Sequence, residues 1–138
     1  MCFLSWHPSC SAICMTKDEL QARTLAFASE IRHLCLRVRS QPDGRSVADQ
    51  LLRCATSVGA NYRSACRGRS RAEFIAKLGV VVEEGDEAVY WLELIEKSGL
   101  LAASDVADLL NEAKQLQAIF AASYGTARSN QRQRERKR

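Results

Sequence analysis

Apolar and small residues recur along most of this chain in alternating steps of four and three, the period of a helix with one buried face. Leu20, Thr24, Phe27, Ile31, Leu34 and Val38 form a first stripe, and Val47, Leu51, Cys54, Val58, Tyr62 and Ala65 a second. A third runs through Phe74, Leu78, Val81, Gly85, Ala88, Leu92 and Ile95, beside a further column of Ile75, Val82 and Val89. Two columns make that helix wide enough to touch two neighbours. The fourth stripe is Val106, Leu109, Ala113, Leu116 and Phe120.

Start and stop signals divide these stripes into helices at about 17–39, 46–67, 71–98 and 105–124. Thr16 with Glu19, and Ser70 with Glu73, have the spacing of a capping box. Ser46 with Asp49, and Ser104, are expected to cap the second and fourth helices, while Ser98-Gly99 ends the third and Gly125 the fourth. Four helices joined by short links predict an all-α, antiparallel up-and-down four-helix bundle over residues 16–125. Residues 1–15 follow no helical period and are expected to be a disordered leader or a wrongly assigned start, with Met15 a natural initiator.

Composition agrees with a single helical domain. The chain has 138 residues, 46% apolar and 7% aromatic, and its two prolines, Pro8 and Pro42, leave everything after residue 42 free of helix breakers. No stretch approaches the ~20 apolar residues of a membrane span, and the N-terminus lacks the pattern of a signal peptide. The six cysteines are irregularly spaced, which argues against a disulfide framework and for a cytoplasmic protein with reduced thiols.

Charge changes the picture more. The net charge of +4 is carried by residues 126–138, where Arg128, Arg132, Arg134, Arg136, Lys137 and Arg138 face one acid, Glu135. With no large apolar residue, this segment reads as a basic disordered tail. Within the body, Arg53, Arg63, Arg67, Arg69, Arg71 and Lys77 are opposed only by Glu73, whereas from Glu83 to Glu96 there are six acids and no base. Two readings stand side by side. Arg63, Arg67, Arg69, Arg71 and the arginines and Lys137 of the tail can contact RNA or DNA phosphates, since a guanidinium donates paired hydrogen bonds to them. Alternatively, the basic and acidic segments pair with neighbouring helices or subunits, and the partner is another protein.

Candidate chemistry is sparse. Glu84-x-x-Glu87 lacks the histidines of a di-iron bundle, so Glu84 and Glu87 are expected to pair with arginines such as Arg53 or Arg63. His7, Cys10 and Cys14 could bind a stray metal but lie in the leader, outside the expected bundle, and Cys35, Cys54 and Cys66 sit in or near apolar stripes where cysteine acts as a small hydrophobe. Gly59 with Ala60, Asn61 and Tyr62 suggests a tight helix crossing, and Trp91 a core or interface anchor. No enzyme, cofactor or metal is expected. The second column on the third helix, with Trp91 beside it, points to a homo-oligomer.

Residues 50–63 (QLLRCATSVGANYR), 73–78 (EFIAKL), the run Glu84-x-x-Glu87-x-x-Tyr90-Trp91-Leu92, and Arg23-Thr24-x-Ala26-Phe27-Ala28 with Glu112-Ala113-x-x-Leu116 resemble the four-helix-bundle family also called the 23S rRNA intervening-sequence proteins. The resemblance implies a bundle assembled as a homo-oligomeric ring, usually a pentamer. It also implies kinship with accessory subunits of diversity-generating retroelements, basic rings that bind nucleic acid and a reverse transcriptase. Glu83 and Gly85 stand where that family usually has lysine and alanine, which makes the third helix of this chain more acidic. The family name reflects genomic location, which is not itself ribosome binding.

Overall fold

The computed structural model describes residues 15–138, so the expectations for residues 1–14, including His7, Cys10 and Cys14, lie outside the described residues. Four helices follow one another: α1 (Lys17–Arg39), α2 (Gly44–Cys66), α3 (Arg71–Lys97) and α4 (Ala103–Arg136). Each packs against its neighbours in sequence, and α1 closes against α4. The stripes meet in one core, in which Ile31, Val38, Leu51, Leu78, Leu92, Ile95 and Val106 are fully buried and Phe120 nearly so. At ~1.5–3 kcal/mol for each large apolar side chain, this stripe burial is the main force holding the bundle together. Val47 and Phe74, at the starts of their stripes, and Leu109 within the fourth are only half-buried.

Local signals at three helix ends act as expected. Thr16 Oγ1 accepts from the Glu19 amide at 3.2 Å and Glu19 Oε2 accepts from the Thr16 amide at 2.7 Å, a complete capping box. Ser70 Oγ accepts from the Glu73 amide at 3.1 Å, although Glu73 itself reaches the Arg69 amide at 2.9 Å. Gly99, with φ of 72°, closes α3: its amide donates to the Glu96 carbonyl and the Leu100 amide to the Ile95 carbonyl, the paired bonds of a Schellman motif.

Three boundaries differ from the sequence reading. Helix α2 begins at Gly44 rather than Ser46, with Asp43 left-handed at φ 61° and no side-chain cap. A Cβ at Gly44 would run into the Val38 carbonyl, so the close return of the chain sets the start, and Asp49 is occupied by an ion pair with Arg39. Helix α4 is capped by Ala102, not Ser104, because burial of Leu101 in the core turns the chain two residues earlier. The largest difference is at the end of α4, which passes through Gly125 and continues to Arg136, so the expected disordered tail is helical over most of its length. A glycine inside a helix costs only ~1 kcal/mol, and no proline follows it. Tyr124 lies against Gly79 of α3, Arg128 sits over the Tyr124 ring at 5.4 Å, and Gln131 donates to Glu135 at 3.0 Å, each favouring continuation.

Candidate nucleic-acid interface

The long α4 runs beside α3 past its first turn. There Arg71, the opening residue of α3, lines a groove with Asn130, Gln133, Arg134 and Lys137 of α4. Arg63, Arg67 and Arg69 are exposed on or just after α2 and do not line this groove. Arg128, Arg132 and Arg136 are spaced four residues apart, one flank of α4 with ~6 Å between successive side chains. Arg134 and Lys137 fall on another flank, about 140–160° around the axis from the middle of that row. Arg138 lies two residues beyond the last helical residue, Arg136. Among the described residues, none of these ten basic side chains takes part in an ion pair.

Arg53 has a different role. Its guanidinium donates to both Glu84 oxygens, at 3.2 and 3.0 Å, and to Glu87 Oε1 at 2.5 Å, tying α2 to α3. Trp91 Nε1 donates to the same Glu87 oxygen at 3.1 Å. The Arg53 hydrogen bond, and then that of Trp91, hold the Glu87 carboxyl below the usual glutamate range, and the same contact raises Arg53. Glu84 and Glu87 are therefore structural partners of Arg53; Arg63 does not join them. Asn61 Nδ2 donates to the Ser57 carbonyl and hydroxyl, both at 2.9 Å, within its own helix. Tyr62 is buried against Phe120, ring centroids 5.0 Å apart, and burial pushes its phenol up.

The cysteines behave as core residues. Burial pushes the Cys35 thiol up to about 11 and the Cys54 thiol up to about 12, and each donates weakly to a carbonyl, Ala48 and Leu51 respectively. A thiol so shifted stays protonated and is a poor nucleophile near neutral pH. No three His, Cys, Asp or Glu side chains gather as a possible metal site among the described residues. No helix among them is long and apolar enough to cross a membrane.

Two features of the structure were given no role by sequence reasoning. The amides of Asn130 and Gln133 line the groove because α4 continues, which the expectation of a tail concealed. Arg23 clamps α1 to α4, donating to Glu112 at 2.6 and 2.7 Å and to Gln115 at 2.9 Å, a pairing across 89 residues with no local signature.

An all-α four-helix bundle with a basic end, unpaired among the described residues, defines the class of this protein. The chain belongs to the 23S rRNA-intervening sequence protein family, which matches residues 17–122. It is similar to the crystal structure of a protein of unknown function from the S23 ribosomal protein family of Bacteroides thetaiotaomicron VPI-5482, at a TM-score of 0.70 and 29% identity over 75% of this chain and 95% of that one. No curated protein matches it in sequence.

Proposed function

We propose that this protein is a non-enzymatic, homo-oligomeric binding module of the cytoplasm that contacts RNA or DNA phosphates through its basic end. The observation that carries the reading is the groove in which α3 and the end of α4 bring Arg71, Arg134 and Lys137 together, with no acid paired to them among the described residues. Arginines held on two rigid helices lose less freedom on meeting a phosphate than arginines on a flexible tail. Self-association is supported by half-buried Val82, Val89 and Trp91 along α3, with Tyr90 57% exposed and stacked edge-on against Trp91. A pentamer is the assembly the family resemblance implies.

A second reading, a scaffold that binds another protein, is favoured by Leu25 and Leu36 of α1, 60% and 57% exposed on a helix whose other large apolar residues are buried. A salt titration of binding to mixed-sequence RNA and duplex DNA separates the two. Phosphate binding weakens steeply, with a log–log slope of about −0.7 to −0.9 per phosphate neutralised. No binding at low salt leaves the scaffold reading. Light scattering on the same sample reports the mass of the oligomer.

A further inference from the structure

The basic end offers two arrangements of charge. Arg128, Arg132 and Arg136 are strung out along one flank of α4 at ~6 Å intervals, which suits successive phosphodiesters, each carrying a single charge. The groove is built otherwise. Arg71 from α3 and Arg134 and Lys137 from α4 converge on one opening, joined by two amide side chains, Asn130 and Gln133, which bring further hydrogen-bond donors. Neither neighbouring acid forms an ion pair with them: Glu73 accepts from the Arg69 amide, and Glu135 from Gln131. Three cations around one opening are more than an internal phosphodiester requires. They suit a phosphate monoester or a di- or triphosphate, since a terminal phosphate carries about −1.5 to −2 charges and three acceptor oxygens. The α4 residues of the groove also lie beyond residues 17–122, the span matched by the family.

We infer that the groove between the start of α3 and the end of α4 is a seat for a terminal phosphate group, either the phosphorylated end of a nucleic-acid strand or a free polyphosphate. Its first form rests on the nucleic-acid reading above, and the test keeps the two apart. Binding of the full chain is measured for one short mixed-sequence strand with a 5′-phosphate and with a 5′-hydroxyl, and for inorganic pyrophosphate. The measurements are repeated in Arg71→Gln, Arg134→Gln and, as a control on the other flank, Arg128→Gln. All three side chains are exposed, and an unchanged melting curve verifies each fold.

A strand-end seat gives about tenfold tighter binding of the phosphorylated strand, lost in Arg71→Gln and Arg134→Gln and kept in Arg128→Gln. Pyrophosphate binding that needs Arg71 and Arg134, with neither strand bound, places the seat with free polyphosphates and removes the nucleic-acid reading. Equal affinity for the two strands, with no greater loss in the groove variants than in Arg128→Gln, overturns the seat while leaving the nucleic-acid reading intact. Failure of all three probes overturns both.

Discussion

Gln117 places its Oε1 in the seam between α3 and α4, buried and without a hydrogen-bond partner among the described residues. Room for it comes from Gly85, where a Cβ would lie 2.5 Å from that oxygen. A glycine on an interior helix face is thus explained by what lies opposite, at the very position where the family resemblance leads one to expect alanine. Gln117→Met keeps the length of the side chain and removes the orphaned acceptor, so urea unfolding is expected to show a gain of about 1 kcal/mol; a loss contradicts this account. Glu87 supplies a second test. Its carboxyl is held below its ordinary value of 4.5 by Arg53 and Trp91, so its contribution is fully present above that value and is lost as pH falls through the lower folded one. Stability should therefore decline below about pH 4.5, and Arg53→Leu should flatten part of that decline. Only part is lost, because Glu19, lowered by its hydrogen bonds to Thr16, still titrates.

At the scale of the element, α4 decides how the basic residues act. As an unstructured tail, its arginines contribute charge alone; as a helix beside α3, they hold fixed positions relative to Arg71. Ala127→Pro separates these cases, since it breaks the helix at a cost of about 3 kcal/mol yet keeps every cation. Weaker binding to RNA or DNA is expected in this variant, approaching the loss on removing residues 128–138. Unchanged affinity, with circular dichroism showing the helix lost, would mean that charge alone suffices. The N-terminal caps teach a related lesson. Ser70 and Thr16 cap where the chain enters freely, but Ser46 and Ser104 are bypassed because Gly44 and Leu101 are placed by the packing of the loops they belong to.

For the whole molecule, closure of the bundle depends on the seam between α1 and α4, which is more thinly packed than the seams between helices adjacent in sequence and is fastened by polar groups at both ends. Arg23 with Glu112 and Gln115 holds one end, and Arg37 with Asp105, at 2.8 Å, the other. The Arg23 and Glu112 side chains are only 23% and 29% exposed, so the paired bonds are shielded from water better than those of Arg37. Arg23→Ala is expected to cost about 1–2 kcal/mol in urea unfolding and Arg37→Ala less than about 0.5 kcal/mol. Equal losses would show that shielding does not distinguish the two ends.

Much of this architecture was legible in the residues themselves. Every member of the first stripe, from Leu20 to Val38, is buried, and charge and helical spacing narrowed the partner of Glu84 and Glu87 to arginines such as Arg53 or Arg63, of which the structure takes Arg53. Helical period is a local property, set within a few turns by which residues must leave water. The groove was not legible, because it joins residues some sixty positions apart, Arg71 and Lys137, through a helix whose continuation past Gly125 is favoured by contacts with α3. Sequence alone therefore determined the number of helices, their buried faces and the sign of the charge at each segment, all consequences of neighbours along the chain. Where α4 stops, which cations converge and which glycine admits which side chain were decided only by tertiary packing, since those outcomes depend on the helix that lies opposite.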